Sequence, residues 1–104
     1  MNEVTALSGS GPGYVFAFIE ALEEAAVEMG LPPETARTMA IETVRGAAEL
    51  AGQTGEDPAE LRRRVSSKGG TTLAGLAAMA SGGFAGAVGA GVRAARDRAA
   101  ELAR

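Results

Sequence analysis

Cysteine, histidine and tryptophan are absent from the 104 residues, and phenylalanine and tyrosine together number four. Without cysteine no disulfide framework can form, and without histidine as well the usual zinc sites and a histidine general base are excluded. We therefore predict no metal site. Basic residues are outnumbered, 10 against 13 acidic ones, and the pI is about 4.9. This balance argues against a nucleic-acid-binding surface.

Long apolar runs are also missing. No run approaches the ~20 residues that span a bilayer, and no basic region precedes an apolar one at the N-terminus. We therefore expect a cytoplasmic protein without a membrane partner. Hydrophobic residues make up 46% of the chain, but 23 of them are alanine. Because so few side chains are bulky, burial within one chain should be marginal, and we expect a partner chain to complete the core.

Apolar residues recur at steps of three and four, and no stretch alternates with period two. This pattern predicts an all-α fold of about five helices. Gly30 should end the first helix, and Asp57 with Pro58 should start the third. Glycines at 46, 82, 83, 86, 89 and 91 suggest positions where another helix approaches closely. The predicted helices cover residues 14–29, 33–51, 58–64, 73–80 and 84–104. A loop over 8–13 leads into the first of them, with Pro12 near its first turn.

The segment from Val65 to Thr72 combines serines, glycines and threonines at the expected start of a helix. A helix that begins near Thr71 leaves its first N–H groups unpaired and exposes its positive end, which suits a carboxylate or a phosphate. The hydroxyls of Ser67, Thr71 and Thr72 could add donors. A plain turn with a serine or threonine N-cap is the alternative, and the segment alone leaves both open.

Two nucleotide-binding motifs are excluded. A phosphate loop requires lysine after its second glycine, whereas Lys68 precedes the glycines of this segment. A dinucleotide fingerprint that starts at Gly9 would need a third glycine where Tyr14 stands. We therefore expect no cofactor to bind to this chain alone.

Five motifs, in order along essentially the whole chain, resemble the C-terminal domain of pyrroline-5-carboxylate reductase. They are Thr5-Ala6-Leu7-Ser8-Gly9-Ser10-Gly11-Pro12-Gly13-Tyr14, Met29-Gly30-Leu31-Pro32, Val44-x-Gly46-Ala47-Ala48, Val65-Ser66-Ser67-x-Gly69-Gly70-Thr71-Thr72 and Ser81-Gly82-Gly83-Phe84. Single motifs of this kind would be weak, but their number and order make the resemblance specific.

The resemblance implies an oxidoreductase of proline biosynthesis that reduces 1-pyrroline-5-carboxylate to L-proline with NADPH or NADH. In that family a Rossmann domain carries the cofactor and precedes the helical domain. Residues 1–104 would be the helical dimerisation and substrate-binding domain, with the Rossmann domain absent, so this chain alone should be inactive. The family's helical domain forms an interlocked homodimer, and its dimers often assemble into rings.

The resemblance also assigns a substrate site, residue by residue. Ser67 matches the serine that holds the substrate carboxylate, and Thr71 matches the position that offers its backbone N–H. Gly70 belongs to the same loop. Thr72 matches the threonine beside the ring nitrogen and the carboxylate, which makes it the one candidate catalytic residue. Lys68 replaces a proline common in the family, so the loop loses a fixed φ and gains a cation.

Three further positions match a loop that lies on the nicotinamide side of the family's active site: Ser10, Gly11 and Pro12. Two alternatives to a reductase domain stay open at this point. The chain could be a free-standing helical homo-oligomerisation module without enzymatic activity, or an unrelated helical protein that binds anions.

Overall fold

Helices make up nearly all of the chain. The computed structural model describes residues 1–66 and 70–104, and this part contains no strand. The all-α prediction is therefore confirmed. In the described residues, five helices of eight residues or more follow the short helix α1 and a π-helical turn. The elements are α1 (Asn2–Val4), the π-helical turn (Thr5–Gly9), α2 (Gly11–Glu28), α3 (Pro33–Thr54), α4 (Pro58–Val65), α5 (Thr71–Ser81) and α6 (Phe84–Leu102).

The end of α2 is set by Gly30, as predicted. Gly30 has a left-handed backbone, with φ of +105°. Its N–H donates to the Val27 carbonyl at 3.0 Å, and the Leu31 N–H donates to the Ala26 carbonyl at 3.1 Å. This pair of bonds satisfies carbonyls that the helix end would otherwise leave unpaired. The predicted start of α4 at Pro58 is confirmed as well.

The loop predicted over residues 8–13 is wrong, because this stretch is helical except at Ser10, although Pro12 does lie in the first turn of α2 as predicted. The Thr5 carbonyl accepts the Ser10 N–H at 2.9 Å, a π-helical bond, and the Ser8 hydroxyl donates to the Val4 carbonyl at 2.9 Å. Glycine and serine lower helix propensity by only about 1 kcal/mol or less each. Contacts of the π-helical turn with α6 can offset such a cost.

Two other boundaries differ from the predictions by two or three residues. α3 continues to Thr54 instead of ending at residue 51, and the Thr54 hydroxyl donates to the Leu50 carbonyl at 2.9 Å. Gly55 then ends the helix in a left-handed conformation, with φ of +66°. α5 begins at Thr71, as the serine–glycine–threonine segment predicts, and two residues before the start at residue 73 that the apolar periodicity predicts.

The chain divides into two compact units. The first consists of Met1–Gly11 and Ala59–Arg104. Within it, α1 and the π-helical turn contact α6, and α5 also contacts α6. Ala6, in the π-helical turn, is completely buried.

The second unit, Pro12–Pro58, contains nearly all of α2 and the whole of α3. Ala36 and Ala40 of α3 are buried, whereas α2 buries no residue. The Arg37 guanidinium forms two hydrogen bonds to the Glu23 carboxylate, each of 3.3 Å. This ion pair joins the two helices.

The hydrophobic core of the described chain is thin, as the composition predicts. Its buried hydrophobic residues are three alanines, Ala6, Ala36 and Ala40, and no large side chain is fully buried. Large apolar side chains are exposed instead: Phe16 is 68% exposed and Phe84 is 48% exposed. Exposed apolar side chains on this scale indicate surfaces that another chain covers.

The close helix approaches predicted at several glycines do not occur within the described chain. A Cβ atom added at Gly46, Gly86 or Gly91 would meet no described atom within 4 Å, and one added at Gly89 would meet only the Arg93 side chain. The close approach therefore does not come from the described chain itself, and an approach by a second chain stays a prediction.

None of the described helices is by itself long and apolar enough to cross a bilayer. The bent pair of α5 and α6, which meet at 52°, passes the same test together by length and composition alone.

Candidate functional site

The N-terminal end of α5 is the centre of the predicted substrate site. Gly70 is the N-cap residue and has a left-handed backbone, with φ of +79° and ψ of −2°. Its carbonyl accepts the Ala74 N–H at 3.0 Å. Thr71 and Thr72 therefore lie in the first turn, where helical N–H groups have no intrahelical acceptor and the helix dipole is positive. The predicted helix start near Thr71 is confirmed.

The N-cap residue bears on one of the two interpretations of this turn. The alternative of a serine or threonine N-cap is not what the structure has, because a glycine occupies that position and has no side-chain oxygen. The hydroxyl-bearing residues come one and two positions later. Thr72 is half-buried and Thr71 is exposed. Ser67, the other hydroxyl-bearing residue predicted for the site, lies outside the described residues, as does Lys68.

Ser66 has a structural role that we did not predict from the sequence. It is the one buried polar residue of the described chain, 7% exposed. Its hydroxyl donates to the Arg62 carbonyl at 2.7 Å, and its N–H donates to the Arg62 and Arg63 carbonyls at 3.1 and 3.2 Å. These bonds satisfy the C-terminal turn of α4. A serine hydroxyl commonly donates to the helical carbonyl four residues earlier in the chain. This tendency is the signal that could have predicted the role of Ser66.

The predicted cofactor-side residues lie where the π-helical turn meets α2. Ser10 and Gly11 are half-buried, and Pro12 is exposed in the first turn of α2. Ser10 and Gly11 belong to the same compact unit as Thr71 and Thr72, whereas Pro12 begins the other unit. π-Helical turns are rare and frequently occur at functional sites.

Ser10 also lines a groove against α6. The groove has a volume of about 540 Å³. Arg98 lies on its α6 side, where the guanidinium pairs with the Glu101 carboxylate at 3.4 Å. Asn2 and Thr5 line the same wall as Ser10, and alanines with Leu102 complete the lining. The groove is therefore lined by polar residues from the N-terminal segment and by mostly apolar residues from the end of α6.

A second groove lies between α2 and α3, and the sequence analysis did not predict it. It has a volume of about 620 Å³ and is mostly apolar. Its charged edge includes the Glu23–Arg37 pair. The hydrogen bond and the negative charge of Glu23 raise the pKa of Arg37 above its ordinary value. A signal for this pair was present, because Glu23 and Arg37 lie seven residues on either side of Gly30, which ends α2.

The arginines at the end of α4 form a solvated helical turn, as predicted. Arg63 pairs with Glu60 one turn earlier, and the Arg64 Nε lies 3.9 Å from a Glu60 carboxylate oxygen. All three arginines, from Arg62 to Arg64, are exposed. Positive charge at this end is favourable for the helix dipole.

Residues 1–66 and 70–104 contain no cluster of three or more histidine, cysteine, aspartate or glutamate side chains that could hold a metal ion. The chemistry available at the α5 terminus is thus hydrogen bonding by hydroxyls and backbone N–H groups. Such groups bind carboxylates and phosphates.

Comparison with known families identifies the family to which this helical chain belongs. Residues 1–102 match the family model described as pyrroline-5-carboxylate reductase dimerisation. The chain belongs to this family. The prediction made from the five motifs is therefore confirmed. Among curated relatives, the pyrroline-5-carboxylate reductase of Synechocystis is 47% identical over 104 residues, which is 100% of this chain and 39% of the relative. That of Glycine max is 45% identical over 97% of this chain and 37% of its own length.

Solved structures of pyrroline carboxylate reductases superimpose closely on this chain. A pyrroline-5-carboxylate reductase from Coxiella burnetii superimposes with a TM-score of 0.92 at 42% identity, over 97% of this chain and 37% of that one. The Plasmodium falciparum enzyme, solved with NADP bound, gives a TM-score of 0.89 at 34% identity, over 94% of this chain and 37% of that one. The chain thus spans less than two-fifths of the length of these relatives.

Proposed function

We propose that this chain is the dimerisation and substrate-binding domain of a reductase that converts 1-pyrroline-5-carboxylate to L-proline in proline biosynthesis. The family match over residues 1–102 carries this proposal. Relatives at 43–47% identity that bear the reductase name support it. Because the chain corresponds to 39% of the Synechocystis relative, cofactor binding is assigned to a separate nucleotide-binding domain. A cytoplasmic location is part of the proposal.

The proposed substrate site is the N-terminal end of α5. The substrate carboxylate would accept hydrogen bonds from the Ser67 hydroxyl and the Thr71 N–H, beside Gly70. A glycine N-cap supports this because no side-chain oxygen of the N-cap residue competes with a bound anion for the first-turn N–H groups. The half-buried Thr72 would place its hydroxyl beside the ring nitrogen. That nitrogen gains a proton when the C=N bond is reduced, so a hydroxyl partner there can orient the ring.

The described residues do not fit a whole nicotinamide dinucleotide. A Rossmann-type dinucleotide site requires a strand, a glycine-rich turn and a helix, whereas residues 9–14 are helical except at Ser10. We therefore propose that NADPH or NADH is held by the other domain, where it supplies the hydride for the imine carbon. On this proposal Ser10, Gly11 and Pro12 lie on the nicotinamide side of the assembled site.

Oligomerisation follows from the family to which the chain belongs. We propose more specifically a homodimer with interlocked helices, which can assemble further. The thin core supports this, because the buried hydrophobic residues of the described chain are alanines while Phe16 and Phe84 are exposed. Full burial of one phenylalanine stabilises by roughly 1.5–3 kcal/mol. A second chain is the available means of burying these side chains.

A joined protein tests the reductase proposal. The nucleotide-binding domain of the Synechocystis relative is placed before residue 1, and oxidation of NADPH with 1-pyrroline-5-carboxylate is followed by absorbance. We expect turnover by the joined protein and none by the nucleotide-binding domain alone, which is the matched control. A folded, dimeric joined protein without turnover would contradict the proposal and favour a free-standing oligomerisation module.

A further inference from the structure

Ser66 stands between the end of α4 and the proposed substrate site at the start of α5. α4 ends at Val65, and Gly70 is the N-cap residue of α5. Residues 67–69, which lie outside the described residues, separate Ser66 from Gly70 in the sequence. Four residues of extended chain span at most about 14 Å. The place at which Ser66 is held therefore limits where the first turn of α5 and its N–H groups can lie.

The bond that Ser66 makes through its side chain differs from the bonds that its backbone makes. Any residue except proline could donate its N–H to the Arg62 and Arg63 carbonyls, as Ser66 does at 3.1 and 3.2 Å. The Ser66 hydroxyl adds a bond of 2.7 Å to the Arg62 carbonyl. A carbonyl oxygen has two lone pairs, so it can accept both bonds together. The hydroxyl bond is therefore the part of this contact that requires serine.

Burial distinguishes this hydroxyl bond from similar bonds elsewhere in the described chain. Ser66 is 7% exposed, so water has little access to replace a lost partner. The hydroxyls of Thr43 and Thr54 also donate to the carbonyl four residues earlier, at 2.7 and 2.9 Å, but both threonines are exposed. α4 has only eight residues, and a helix this short is marginal without tertiary contacts. Loss of the Ser66 hydroxyl should therefore loosen the last turn of α4.

We propose that Ser66 is a positioning residue of the substrate site, because its hydroxyl fixes the end of α4 from which the chain continues to the donors for the substrate carboxylate. The inference rests on the proposed function, which assigns the Ser67 hydroxyl and the Thr71 N–H to that carboxylate. Ser67 is bonded directly to Ser66, and consecutive Cα atoms are about 3.8 Å apart. Ser66 itself does not bind the substrate, since its hydroxyl proton is donated to the Arg62 carbonyl.

Substitutions at Ser66 test the proposal in the joined protein. Ser66→Ala removes the hydroxyl, Ser66→Cys replaces it by a weak donor, and Ser66→Thr keeps it. Thr54→Ala is the matched control, because Thr54 makes the same kind of bond at the end of α3, in the other compact unit. The Thr54 hydroxyl also accepts the Glu56 N–H at 3.2 Å, so this control removes no fewer bonds than Ser66→Ala does. Circular dichroism establishes that each variant is helical.

The kinetic constants should separate positioning from stability. For Ser66→Ala we expect KM for 1-pyrroline-5-carboxylate to rise about three- to tenfold, the range of one hydrogen bond, with kcat and KM for NADPH within about twofold. A rise in KM at constant kcat indicates weaker substrate binding. Ser66→Cys should have an intermediate KM, and Ser66→Thr should stay within about twofold of the native value. Thr54→Ala should lower the melting temperature and leave each kinetic constant within about twofold.

Proline binding to the chain itself gives a measurement that does not depend on turnover. Proline is titrated into the native chain and each variant while the amide resonances of Thr71 and Thr72 are followed by NMR. Ser66→Ala should raise the Kd about three- to tenfold, whereas Thr54→Ala should leave it within about twofold. If Ser66→Ala does not fold, Ser66→Cys provides the same test with a smaller increase.

The outcomes separate the inference from the function on which it rests. A native joined protein without turnover, together with a native chain that does not bind proline, would refute the proposed function and the role of Ser66 with it. Native turnover with an unaltered KM in Ser66→Ala and Ser66→Cys would overturn the role of Ser66 and leave the function standing. A lower melting temperature in both Ser66→Ala and Thr54→Ala, without a rise in KM or in the Kd for proline, would make Ser66 only structural and would also overturn the inference.

Discussion

Replacing Gly70 by alanine should separate the cost of an unusual backbone from the loss of a binding site. Gly70 holds φ at +79° as the N-cap of α5, and a Cβ atom added there would meet no described atom within 4 Å. The cost of Gly70→Ala is therefore conformational and not steric. A left-handed backbone costs an L-residue roughly 1–2 kcal/mol relative to glycine.

The chain supplies its own matched control in Gly83. This residue is the N-cap of α6, its φ is +82°, and a Cβ atom there would also meet no described atom within 4 Å. Gly83→Ala should thus destabilise the protein by a similar amount. Each kcal/mol lowers the melting temperature of a domain of this size by about 4–8 °C. We expect both variants to melt lower, by comparable amounts, in thermal unfolding followed by circular dichroism at equal chain concentration.

The two variants should differ in substrate binding. Proline is titrated into each chain while the amide resonances of Thr71 and Thr72 are followed by NMR. Binding to the native chain should be weak, with a Kd of about 1 mM or poorer, because a few hydrogen bonds must offset the lost freedom of the ligand. Gly70→Ala should weaken it further, whereas Gly83→Ala should not. If Gly70→Ala melts like the native chain while Gly83→Ala melts lower, the backbone assigned to Gly70 is wrong. Equal effects on proline binding would refute the site.

Three other predictions concern catalysis and packing. The chain alone should show no NADPH oxidation with 1-pyrroline-5-carboxylate, and a rate clearly above the blank would contradict the assignment of the cofactor to another domain. In the joined protein, Thr72→Val should raise KM and lower kcat/KM by about 10- to 150-fold, the value of one hydrogen bond to a charged group, with dimer mass unchanged. A lower melting temperature with unaltered KM would instead mean that Thr72 is only structural. Arg37→Gln should lower the melting temperature slightly, because it removes the exposed pair with Glu23. This difference should shrink in high salt, and an equal loss at all salt concentrations would point to packing instead.

Local chemistry explains which parts of the fold could be predicted. Gly30 and Pro58 mark helix boundaries because their backbone preferences act over one or two residues, whatever the rest of the chain does. The start of α5 at Thr71 follows from the same kind of signal. The family was predictable because five short motifs occur in a fixed order, which hydrophobic periodicity alone could not have shown.

The failures have a common physical cause, which is tertiary context. Residues 8–13 contain three glycines, a proline and two serines, yet contacts of the π-helical turn with α6 favour a helix over the predicted loop. The Glu23–Arg37 pair depends on how α2 and α3 pack, although its symmetric placement about Gly30 was visible. At the predicted site, the sequence indicated the helix terminus but left open which residue caps it, and the structure has Gly70 there.

The thin core determines how every stability measurement on this protein should be made. The buried hydrophobic residues of the described chain are three alanines, whereas Phe16 and Phe84 are exposed. Much apolar surface is therefore still to be covered. Folding and association should therefore form one equilibrium, in which the melting temperature rises with chain concentration. A melting temperature that stays constant over a hundredfold range of concentration would mean that the single chain is stable by itself, and the thin core would then not explain the dimer.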